Sequence, residues 1–220
     1  MSDTIDVCVP IVPKRWYGPG GKHVQHDLVP EDVIEFWRVM LARYNTRILN
    51  INDPADNSLV QHGLSRMGVT DPNVLQNYAI TFGTAIYLPF TPGKAVPKWP
   101  LWDQIKTCLH EHFHVARSRQ FEGVEYGFIY QTNSTSRAYF EGEAYRTQLV
   151  LEWRYKGKTS DPEALAEKLR AYKCGDADIA MVTKILRLSL LSIKRGAVPD
   201  SITQFACDWL DARFAGEEIK

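Results

Sequence analysis

Residues 101–120 read LWDQIKTCLHEHFHVARSRQ, and the reading of this stretch decides the rest of the chain. Trp102, Ile105, Leu109, Phe113 and Ala116 recur at three- and four-residue intervals, which predicts an amphipathic helix with one face toward a core. His110 and His114 fall to one side of that stripe, in company with Asp103, Thr107 and Arg117, where a core gives way to a cleft. Four residues apart on a helix, both imidazoles project from one face about one turn apart. Two nitrogens so placed reach a single tetrahedral ion at about 2.0–2.1 Å. A plainer reading is a pair of satisfied core histidines, and the position beside the apolar stripe counts against it.

Glu111 lies too far round the helix to ligate beside the two histidines. It is placed to hold a water on the ion and take its proton, the general-base role in metal-assisted hydrolysis. A catalytic zinc needs a third protein ligand and an open fourth position. The natural source is the next strong helical pattern, residues 136–155, which opens with Arg137-Ala138-Tyr139-Phe140-Glu141-Gly142-Glu143-Ala144-Tyr145. Two glutamates compete there, and being two apart they point roughly 200° away from each other. Phe140, Ala144, Leu151 and Tyr155 mark the inward face, from which Glu141 departs less than Glu143, so Glu141 is the better third ligand. Gly142 and Ala144 are small enough to let the two helices approach closely. Tyr145, one turn beyond Glu141, is the first candidate to donate to an oxyanion. Tyr139, Tyr126 and His112 are weaker candidates.

His110-Glu111-His112-Phe113-His114, followed by Glu141-Gly142-Glu143-Ala144, resembles the gluzincin branch of the zincin metallopeptidases. In that branch a glutamate three residues before a small residue, on a second helix, completes the site. The resemblance covers roughly residues 78–153. It implies His110, His114 and Glu141 as ligands of one zinc ion per chain, and Glu111 as base. It also implies a twisted sheet whose edge strand runs above the active helix and binds substrate backbone by strand addition. The metzincin pattern would place a histidine six residues after His114, where the chain has Gln120.

Around this centre the sequence predicts an α+β protein. Residues 1–30, rich in proline and glycine, read as an extended arm, residues 31–156 as a zincin-like metal-binding core, and residues 157–220 as a helical subdomain packed on it. Helices are expected at 30–43, opened by proline, and at 161–172, 177–194 and 199–214, each introduced by an aspartate-type cap or a proline and closed near glycine. Residues 78–90 read as the best strand, with Gly83 at a bulge or turn, and the apolar run 124–130 as a second strand. Residues 50–72 are mixed and turn-rich. Within the arm, His23 and His26 read as a surface pair, and residues 18–22 lack the spacing of a phosphate loop.

Composition narrows the function. Lysine plus arginine equals aspartate plus glutamate at 26 each, so the formal net charge is zero and nothing favours nucleic acid. The four cysteines, Cys8, Cys108, Cys174 and Cys207, form no CxxC pair and read as buried free thiols. The first residues carry no secretory signal and no stretch reaches a membrane span, so a cytoplasmic location is expected. The expected function is zinc-dependent hydrolysis of a peptide or protein substrate. A zincin-like interaction module without turnover and a metal-dependent amidase are its rivals.

Overall fold

Pro30 opens α1 (Pro30–Arg43), where its missing N–H is no loss, and the Asp32 carboxylate accepts the Val29 N–H at 3.0 Å to close the first turn. The computed structural model describes residues 27–71, 73–121 and 124–215. After α1 come β1 (Arg47–Asn50), α2 (Pro54–Arg66), the short α3 (Val74–Asn77), β2 (Ile80–Phe82) and β3 (Ala85–Leu88). The remainder is helical: α4 (Leu101–Gln120), α5 (Val124–Thr132), α6 (Ser134–Lys156), α7 (Pro162–Glu167) running into a 3-10 turn at Lys168–Tyr172, α8 (Asp176–Ile193) and α9 (Ser201–Phe214). The protein is thus mostly helical with one small mixed sheet, an α+β architecture. No helix among the described residues is long and apolar enough to cross a membrane. The residues expected to form the arm, with His23 and His26, lie almost entirely outside the described residues.

The strand expected over residues 78–90 is a hairpin. Gly83, at φ +60°, turns the chain between β2 and β3, a left-handed conformation that glycine adopts without a Cβ clash. β3 is central: β1 pairs with it in parallel, Ile48 opposite Ile86, and β2 pairs antiparallel, Thr81 opposite Ile86. Its side chains alternate between two cores, as a strand's must. Ile86 and Leu88 enter the main cluster, while Ala85 and Tyr87 join Ile51, Val60, Leu64, Val69 and Val74 on the other face. The stretch 50–72, unassigned from its composition, supplies α2 and most of this second cluster.

The run 124–130, expected as a strand, is instead α5. Its aromatic and β-branched residues favour strand locally, but tertiary packing against α4, α6 and α2 decides the outcome. α4 is the hub of the main core. It touches α1, β2, α5, α6 and α9, and Ile105, Cys108 and Leu109 are wholly buried on it. Its first turn is fixed by Gln104, whose buried amide bonds the Gly93 N–H at 2.8 Å and the Trp99 carbonyl at 2.9 Å, pinning the proline-rich loop of residues 91–100. α6 lies between α4 and α8, capped by Asn133, which accepts the Ser136 N–H at 2.8 Å, and ended by Gly157 at φ +65°. Leu165, Leu169, Val182, Leu186, Ile202 and Leu210 enter the same cluster as Ile105 and Leu109, so the C-terminal helices share the core of α4 and α6. Gly142 serves a partner other than the one its sequence suggests. A Cβ there would meet Val182 of α8 at 3.1 Å, so its small size admits α8 rather than α4.

Candidate metal centre

The stripe Glu141, Tyr145, Gln148 recurs at four and three residues along α6 and faces the histidine margin of α4. His110 Nε2 and His114 Nε2 stand 3.2 Å apart, and the Glu141 carboxylate straddles them. Its Oε2 is 3.2 Å from His110 Nε2 and its Oε1 is 3.2 Å from His114 Nε2. A tetrahedral ion with bonds of about 2.0–2.1 Å sets its ligand atoms about 3.3 Å apart, so the spacing fits one ion. All three side chains are buried, at 7%, 6% and 2% exposure, which few polar groups tolerate without a partner. This buried group can hold a metal ion.

Each ligand has an outer partner. The Tyr126 hydroxyl lies 2.9 Å from His114 Nδ1, and the side-chain amide of Gln148 lies 3.1 Å from His110 Nδ1. The Tyr126 hydroxyl can accept the Nδ1 proton and so suits the tautomer that leaves His114 Nε2 bare for a metal, whereas Gln148 meets His110 Nδ1 with its Nε2 donor. Tyr130 donates to Glu141 Oε1 at 2.6 Å, while Glu141 Oε2 is buried without a hydrogen-bond partner. A carboxylate with one oxygen held and the other left over is poised to offer the second to a cation. Electrostatics agree. Burial would raise the Glu141 carboxyl, but the attraction of His114 and His110, each 3.2 Å away, outweighs it and holds it well below the usual range. Burial would likewise lower the His114 imidazole, yet Glu141 carries it upward. The three side chains together stabilise a positive charge at their centre, a role open to a proton or a metal.

Glu143, the rival third ligand, points elsewhere and is held between Arg117 and Arg146. Glu111 lies on the cavity side, where the Thr81 hydroxyl of edge strand β2 donates to its Oε2 at 2.8 Å. His112 occupies the opposite face. Its Nδ1 is 2.7 Å from the Cys108 carbonyl, its Nε2 is 3.0 Å from the Thr46 hydroxyl, and its ring meets Trp37 edge-on. Burial pushes its pKa down to about 4, so it is a neutral core residue. Tyr145 is buried with its ring 5.2 Å from that of His110. Burial, and then the Glu141 charge, pushes its hydroxyl well above the usual range, with Glu111 also in reach. Tyr172 shares this setting from the 3-10 turn. Tyr139 is 44% exposed.

A cavity of about 570 Å³ opens onto the centre, within the range of small-molecule and peptide sites. His110, Glu111, His114 and Glu141 form its floor, with Tyr126, Tyr130 and Tyr172 beside them; Tyr145 is not in its lining. β2 contributes Ile80, Thr81 and Phe82 to one wall, and α2 and α5 build the rest. Thr81, Tyr130, Gln148 and Tyr172 escaped the sequence reading. For Gln148 the signal was present, seven residues after Glu141 and therefore two turns along the same face. Comparison of the chain with protein-family models, with curated proteins and with solved structures finds no match.

Proposed function

We propose that this protein is a zinc-dependent peptidase of the gluzincin type, hydrolysing peptide bonds with Glu111 as general base. The observation that carries this reading is the equal 3.2 Å spacing of His110 Nε2, His114 Nε2 and the two Glu141 oxygens on the floor of an open cavity. Two imidazoles and one carboxylate, with a fourth position open to solvent, form the donor set of a catalytic zinc rather than a structural one. Zinc held there supplies a Lewis acid for the scissile carbonyl and lowers the pKa of water to about 7.

The chain's own groups then divide the work. Glu111 takes a proton from the attacking water as its oxygen bonds to the carbonyl carbon. Thr81 fixes the carboxylate that does so, through Oε2. As the carbon–nitrogen bond breaks, Glu111 returns the proton to the departing amine. Negative charge on the carbonyl oxygen calls for a neutral donor; Tyr172 lines the cavity and keeps its proton because burial raises its pKa, whereas Tyr145, equally protonated, lies outside that lining. Among the described residues β2 has one strand neighbour, so its outer edge could align an extended backbone along the cavity. An interaction module without turnover would be expected to have a closed groove, and the open cavity favours the enzyme.

The test combines metal analysis with turnover. Purified protein should hold one zinc per chain, lose it in His114→Ala, and keep it in Glu111→Gln while hydrolysis of an unfolded protein or peptide library disappears. Absence of bound metal at micromolar free zinc would sink the reading.

A further inference from the structure

Two of the glycines in the cavity wall have no structural reason to be glycine. Gly63 lies within α2 and Gly127 within α5, and neither has the left-handed backbone that Gly68, Gly83, Gly93, Gly157 and Gly196 adopt. Glycine inside a helix weakens it relative to alanine, so a packing demand would normally explain it. Gly93 and Gly142 show what such a demand looks like: a Cβ would meet Ile34 at 2.6 Å and Val182 at 3.1 Å respectively. Among the described residues a Cβ at Gly127 meets nothing within 4 Å, and one at Gly63 meets only Gln131 at 3.7 Å and Phe82 at 4.0 Å, ordinary contacts. What the two missing side chains leave is room inside the cavity.

The surroundings of that room are mostly apolar, with Arg66 and Gln131 the polar residues that α2 and α5 bring to it. Val60 and Leu64 come from α2 and Met67 from the turn that follows it, and Val124 and Phe128, one turn apart on α5, come from the other side. Phe128 is 61% and Phe82 42% exposed, so these rings stand at the solvent margin. Polar groups gather at the opposite end, around His110, Glu111 and Glu141. A ligand filling the whole space therefore has one polar end at the centre and one bulky apolar end between α2 and α5.

We propose that the cavity selects a substrate residue with a large apolar side chain, aromatic or long aliphatic, and that Gly63 and Gly127 set the size admitted. The proposal rests on the peptidase reading only for the backbone that carries this side chain. Its test is binding. Zinc-loaded protein is titrated with short peptide hydroxamates, whose head group anchors to zinc, bearing phenylalanine, leucine, alanine, aspartate or lysine side chains. Metal-free protein is titrated with the corresponding N-acetyl amides and followed by NMR.

Phenylalanine and leucine analogues should bind roughly 10–100-fold more tightly than alanine, with aspartate and lysine no better than alanine. Gly127→Leu and Gly63→Leu should bring the large analogues down to the alanine level with zinc stoichiometry unchanged. Gly127→Ala should melt at or above the wild-type temperature. Equal affinity for phenylalanine and alanine, a ranking untouched by both leucine variants, or a lower melting temperature for Gly127→Ala overturns the proposal. Zinc-dependent hydrolysis without side-chain preference would defeat this inference and leave the peptidase standing. Size-ranked amide binding by a protein that takes up no zinc would do the reverse.

Discussion

Helix α4 buries histidines on two faces, and the faces treat them oppositely. His110 and His114 share a carboxylate, so a positive charge between them is welcome. His112, two residues from each, meets a carbonyl and a hydroxyl, and burial drives its pKa down to about 4. Residue type and burial are the same on both sides. What differs is whether the facing helix brings a charge, and Glu141 on α6 is the residue that does. A buried histidine thus becomes a cation site or a core fixture according to its partner, not its depth.

Substitutions sharpen this contrast. The largest effect is expected for Glu111→Gln, which should lower turnover about 10²–10⁴-fold with zinc content and melting temperature unchanged. Peptide-hydrolysis assays beside metal analysis would show it, and an active variant would break the division of roles on the cavity face. Tyr145→Phe and Tyr172→Phe compare the two oxyanion candidates: the true donor should cost about 10²–10³ in kcat and the other little. Tyr130→Phe frees Glu141 Oε1, and zinc affinity measured by competition with a chelator should fall about 10–100-fold. On the other face, His112→Ala should keep its zinc yet lose about 1–3 kcal/mol in urea unfolding, because a wholly buried ring packed on Trp37 and Tyr44 is removed and its hydrogen bonds go with it. Loss of zinc from that variant would erase the distinction between the faces. The smallest effect is chemical. Burial pushes the Cys207 thiol up to about 12 and the Cys108 thiol well above the usual range, so native protein at pH 8 should leave both unlabelled by a thiol reagent, as peptide mass mapping would report.

Much of this arrangement was legible because helix spacing is local. His110, His114 and the preference for Glu141 over Glu143 follow from 100° per residue, and α1, α4 and α6 follow from their apolar periodicity. The zinc reading and the peptidase reading remain proposals drawn from that pattern. Residues 124–130 misled because offsets of two and four coincide on a strand, while an offset of four also returns to one face of a helix. Tyr126 and Tyr130 therefore share a face under either reading, and only packing against α2, α4 and α6 distinguishes them. Thr81 could not be found from its neighbours, since its hydroxyl acquires meaning only when β2 is laid beside Glu111, 30 residues away. Gly142 showed the opposite failure: a correct inference of close approach, attached to the wrong helix.

The depth of the three ligands has a kinetic consequence. With His110, His114 and Glu141 at 7% exposure or less, solvent reaches them chiefly along the cavity that opens onto them. Under the peptidase proposal, metal loading and metal loss would then share their route with the substrate. A bound peptide would act as a stopper, and zinc would leave the working enzyme more slowly than the idle one at identical intrinsic affinity.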